Sequence, residues 1–97
     1  MRVKKLLLLM IVLLLFSTLT HAEVVGKSYR QEVWQVVINR LVEIPDYVRI
    51  LQYSDLSRME FAVVLGRLLE EHPGLNIHLQ RSIQTVSWEL GKLGYTF

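Results

Sequence analysis

The chain has 97 residues, 52% of them hydrophobic, no cysteine, and 11 Lys+Arg against 9 Asp+Glu, with an isoelectric point near 9.2. The basic balance belongs to the first 22 residues; the 75 that remain carry eight basic and nine acidic side chains, a net charge of −1. One small domain fits that length and a multidomain enzyme does not, and a slightly acidic remainder offers no basic surface for nucleic acid.

Met1 to Lys5 (MRVKK) is a positive start, and Leu6 to Phe16 is an unbroken apolar run of 11 residues. Ser17 to Ala22 then places Thr20 and Ala22 at the −3 and −1 positions of a cut after Ala22. This is the three-part layout of a secretory signal peptide, and the apolar run is shorter than the ~20 residues that span a bilayer. We therefore expect a signal peptide over 1–22, a single exported domain over 23–97 in the periplasm or cell envelope, and no membrane span in the mature chain. No cysteine follows the apolar run, so neither a lipid anchor nor a disulfide is available. A core this small must then be supplemented by helix packing or by a partner.

Glu23 to Lys27 reads as an extended lead-in. From about Ser28 to Val42, Tyr29, Val33, Val36, Val37 and Leu41 recur at helical spacing, widened by Trp34 and Ile38, while Arg30, Gln31, Glu32, Gln35, Asn39 and Arg40 take the other side. That is an amphipathic helix. Pro45 stops it, because the residue before proline avoids helical angles. Over Asp46 to Ser54 the periodicity does not decide between a helical turn and an extended segment.

Ser57-Arg58-Met59-Glu60 is a capping box, in which the serine hydroxyl takes the N3 amide and the glutamate reaches back to the cap's own amide. Phe61, Val64, Leu65, Leu68 and Leu69 follow as a wide apolar face, and Pro73-Gly74 ends the element. Gly66 in mid-helix costs about 1 kcal/mol relative to alanine, which close approach of another helix or simple tolerance would explain. A third helix is expected from about Asn76 to Leu93, with Leu79, Ile83, Val86, Leu90 and Leu93 forming a narrow 4-3-4-3 seam. Gly94 suits the left-handed position just past its end. The expected fold is all-α, a three-helix domain behind the leader.

The residues that carry chemistry are sparse. His72 and His78 flank Pro73-Gly74 and share no helical face, and no cysteine completes a ligand set, so no metal site is expected. His78 and Ser82 stand at i,i+4 but lack an orienting acid and an oxyanion loop. Glu70-Glu71 and the Glu43, Asp46 pair sit in polar sequence, where nothing raises a carboxyl pKa for acid–base work. No glycine-rich phosphate loop occurs, and no cofactor or catalytic residue is expected. Trp88 lies off the 79–93 seam as a candidate partner anchor. Around the second helix start, Arg49, Arg58 and Glu60 with Ser57 could hold an anion such as a carboxylate. The competing reading is a capped helix with ordinary surface charges.

Leu56-Ser-Arg-Met-Glu-Phe-Ala62 resembles the Thr-Arg-Ala-Glu-Phe-Ala signature that opens the second helix of S-layer homology domains, with Ser57 for Thr and Met59 for Ala. Val33-Trp34 to Leu41 is similar to the family's first helix. Val86-x-x-Glu89-Leu90-x-x-Leu93-Gly94 is similar to the helix that follows the single such unit at the start of some bacterial outer-membrane porins. The resemblance implies non-catalytic attachment to cell-wall polymer, peptidoglycan or pyruvylated polysaccharide, through Ser57, Arg58 and Glu60. Such units commonly act in groups, so a lone one implies self-association or a neighbour on another envelope protein. The alternative is a small helical partner protein that docks on another chain through Leu79, Ile83, Val86, Trp88 and Leu90.

Overall fold

A computed structural model describes residues 24–97; the expected signal peptide over 1–22 lies outside the described residues. The fold is all-α, and no helix among the described residues is long and apolar enough to cross a membrane.

Helix α1 spans Lys27–Arg40 and ends where Leu41 turns extended (φ −102°, ψ 136°). After Pro45 the ambiguous stretch is helical: a tight 3₁₀ turn, Asp46–Arg49, runs straight into the single turn α2, Ile50–Tyr53. Val48 and Leu51 are its buried residues, spaced so that one side of this short element meets the core.

Helix α3, Arg58–Glu71, starts as the capping box dictates. Ser57 Oγ accepts from the Glu60 amide at 3.1 Å, and Glu60 Oε1 accepts from the Ser57 amide at 3.1 Å. Its buried face (Phe61, Ala62, Leu65, Gly66, Leu68 and Leu69) is the widest among the described helices. The N-terminal arm is stitched to this start: the Val25 amide donates to the Leu56 carbonyl at 2.8 Å, and Val24 pairs antiparallel with Ser57.

The expected third helix is not continuous. Pro73–His78 winds as 3₁₀, followed by α4, Gln80–Thr85, and α5, Ser87–Lys92. The break falls at Val86 (φ −116°, ψ 28°). Two side chains account for it. Thr85 Oγ1 donates back to the Arg81 carbonyl at 2.9 Å, a bond that bends helices. The Thr85 carbonyl, which an unbroken helix would give to the amide four residues on, instead accepts from the Arg58 guanidinium.

The end of α5 is a Schellman turn: Gly94 takes φ +87°, its amide donates to the Gly91 carbonyl at 3.1 Å, and the Tyr95 amide donates to the Leu90 carbonyl at 2.9 Å. The turn throws Tyr95 across α3, and this explains Gly66. A Cβ built there would lie 2.5 Å from Tyr95 Cδ2. The close neighbour is thus the ring of the C-terminal tail and not another helix. Residues from every element meet in one core, from Val25, Val33 and Val37 through Phe61 and Leu65 to Val86 and Leu90.

Candidate functional site

The residues expected at the second helix start do not converge on one site. Ser57 and Glu60 hold each other in the capping box. Arg49 lies one element away, where its Nε faces Asp46 Oδ1 at 3.5 Å on the surface. Arg58 turns inward. Its Nε donates to Glu89 Oε1 at 2.7 Å, and its Nη2 donates to the Thr85 carbonyl and to Glu89 Oε2 at 3.5 Å. The guanidinium therefore fills the break between α4 and α5, neutralising a carboxylate whose side chain is only 10% exposed. The hydrogen bond from Arg58 is the main cause that holds the Glu89 carboxyl below its ordinary pKa. Sequence reading missed Glu89 because 31 residues separate it from Arg58. In this conformation Arg58 is a clasp between α3 and the C-terminal segments rather than an open anion receptor.

The docking seam requires a correction. Leu79, Ile83, Val86 and Leu90 are buried in the domain's own core, so they are not available to a partner. The 4-3-4-3 spacing reports packing within the chain, which a period alone cannot distinguish from packing between chains. Of the residues proposed for a partner, Trp88 is exposed, at 65%, with the Lys92 ammonium 5.4 Å from its ring centroid.

His78 and Glu71 are engaged in local contacts. Arg40 Nη2 donates to His78 Nδ1 at 3.2 Å, and Ser82 is buried with no partner for its hydroxyl, so the Ser82–His78 pair does not form. Tyr47 Oη donates to Glu71 Oε2 at 2.7 Å under the Arg67 guanidinium, which lies 4.1 Å over the Tyr47 ring. Burial, then the bond to Glu71, pushes the Tyr47 hydroxyl well above its ordinary pKa. The same bond draws Glu71 down. No three His, Cys, Asp or Glu side chains among the described residues are placed to hold a metal ion.

A concavity with polar walls was not foreseen. A cleft of about 370 Å³ opens between α1 and α2, lined by Lys27, Arg30, Gln31, Trp34, Gln35, Leu51 and Gln52. Lys27, Gln31, Trp34 and Gln35 stand at helical spacing on α1 and so share one wall. Trp34 is half-buried, packed against the core on one side. Arg30 is buried, and its guanidinium ties the two helices together: Nη1 donates to the Leu51 carbonyl at 3.1 Å and Nη2 to Asp55 Oδ1 at 3.2 Å. Its Nε has no acceptor in the protein. The sequence carried a signal for this. Arg30, Val33 and Val37 sit at i, i+3 and i+7, so the arginine occupies a core position of α1.

No protein-family model, curated protein or solved structure matches the chain.

Proposed function

We propose that this is a non-catalytic exported module of the bacterial cell envelope that attaches to, or interacts with, cell-wall polymer. One observation carries the reading. The elbow that resembles the S-layer homology signature, Leu56 to Ala62, is a helix start with both halves of the capping box made, and the cationic, aromatic-walled cleft lies on the two helices before it. Support also comes from the leader layout at residues 1–22, which suits export. Arg58 serves in this reading as the strut that fixes the elbow against α5, and binding is a task for the open surface around it.

The test is co-sedimentation of residues 23–97 with purified sacculi, alongside fractionation of cells expressing the full chain. Saturable retention, with the mature chain in the envelope fraction, is the expected result. A cytosolic protein that still carries residues 1–22, or a folded chain that stays in the supernatant, would overturn the proposal. The exposed indole of Trp88 favours a second reading, a contact with another envelope protein through α5. Cross-linking in whole cells that captures one protein through position 88 would establish it.

A further inference from the structure

We infer that residues 87–97 are an exchangeable segment through which the chain pairs with a second copy of itself. In the pair, α4 and α5 join into one straight helix, and α5 with its tail docks on the partner's α3. The inference stands apart from the envelope-attachment reading and concerns the chain whatever it binds.

The local sequence asks for that straight helix. No glycine or proline occurs between Gly74 and Gly91, and the apolar seam of Leu79, Ile83, Val86 and Leu90 keeps helical period across the break. The interruption is imposed largely from outside, by Arg58 of α3 taking the Thr85 carbonyl. The bond from the Thr85 hydroxyl back to Arg81 is a local contribution. Straightening returns the Thr85 carbonyl to the Glu89 amide four residues on.

One molecule alone does not gain by straightening. Val86 and Leu90 are 0% and 2% exposed, and swinging α5 off α3 would put both in water. It would also part Arg58 from Glu89 and lift the Tyr95 ring off Gly66. A second copy removes that penalty, because it offers the same α3, with the same arginine for Glu89 and the same side-chain-free notch for the Tyr95 ring. Every one of these anchors is remade between chains, which is why segment exchange is a low-cost route to a dimer. A helix running from Gln80 to Lys92 is about 20 Å long, enough to carry α5 clear of its own α3. Trp88, 65% exposed and two positions past the break, then lies beside the point where the two straightened helices pass, and covering its indole there favours the pair. An unrelated protein would have to supply the arginine, the notch and the apolar wall in register, so the contacts specify a second copy.

The experiment is refolding of residues 23–97 at high protein concentration, followed by size-exclusion chromatography with light scattering. A dimer that persists on dilution is expected, because its separation requires α5 to leave a core. Thr85→Ala, which removes the bending bond and favours helix, should raise the dimer fraction severalfold. Exchange itself is read by co-refolding two variants, Arg58→Glu and Glu89→Arg. Alone, each sets like charges against each other at positions 58 and 89 and should melt well below the parent. In an exchanged pair, position 58 of each chain meets position 89 of the other, so both contacts again join opposite charges. The mixture should therefore give a heterodimer that recovers most of the lost melting temperature, an outcome that two chains each folded on themselves do not produce. A parent chain that stays monomeric overturns the inference. A parent dimer whose variants show no such rescue overturns it as well, because its copies then meet through a surface and not by exchange.

Discussion

Arg58→Ala tests the clasp directly. The substitution strips the Glu89 carboxylate of its hydrogen bonds from the guanidinium and leaves the Thr85 carbonyl without its side-chain donor at the helix break. Removing one member of a buried pair costs about 3–5 kcal/mol, but Arg58 is 36% exposed while Glu89 is 10% exposed, so water recovers part of that loss. A cost of about 2–3 kcal/mol remains. In a domain of this size, each kcal/mol lowers the melting temperature by about 4–8 °C, so Arg58→Ala should melt roughly 10–20 °C below the parent. The reasoning also fixes an order. Glu89→Gln keeps an acceptor for Arg58 and should cost less. Arg58→Met with Glu89→Leu removes both charges and should recover most of the loss. Thermal unfolding by circular dichroism reads all three. A melt of Arg58→Ala within about 2 °C of the parent, or a double variant that is merely additive, would refute the clasp. The result also governs any binding assay, because retention lost in an unfolded Arg58 variant says nothing about ligand contact.

Three further outcomes follow from the same structure. The Glu89 carboxyl titrates below its ordinary 4.5 when folded, so its contribution is present above that value and is lost as pH falls through the depressed folded pKa. Urea midpoints should therefore drop below about pH 4.5, and Glu89→Gln should flatten that drop; an unchanged slope would contradict the assignment. Gly66→Ala removes the ~1 kcal/mol helix penalty but drives a methyl into the Tyr95 ring, an overpacking cost of about 1–3 kcal/mol. In a Tyr95→Ala background the same change should instead stabilise by about 1 kcal/mol, and a sign that does not reverse would reject the steric account. Trp88→Ala should leave stability within about 0.5 kcal/mol, since the ring is mostly exposed; a larger loss in denaturant titration would make Trp88 part of the core.

The readable parts of the sequence were those where a local rule acts alone. Ser57 and Glu60 specify a helix start through bonds that span three residues, and Gly94 specifies a helix end through a backbone angle, so both stood out and both formed. The break at Val86 was hidden because its cause lies elsewhere, in an arginine 27 residues before the carbonyl it takes. The same distance hid the roles of Arg58 and Glu89. The seam of Leu79, Ile83, Val86 and Leu90 was seen correctly as apolar, but spacing does not name the surface that covers it. Arg30 was placed on the polar side by residue type, although its position in the Val33–Val37 stripe put it in the core. The cleft depended on that arginine and on an α2 that periodicity left undecided, so it could not be assembled from the chain alone.

Both ends of the described chain rest on α3. Val25 is bonded beside its first turn and Tyr95 lies over Gly66, nine residues along, which at 1.5 Å per residue is about 14 Å of helix axis. A short glycine–serine tether could therefore join the two ends, and new termini could open at the fully exposed Val42 between α1 and the 3₁₀ turn. Such a rewired chain would carry Lys27 to Gln35 and Leu51 on segments far apart in sequence but unmoved in space. It would present the cleft with the connection between its two walls cut, and so give an independent handle on whether the cleft's shape or its connectivity matters.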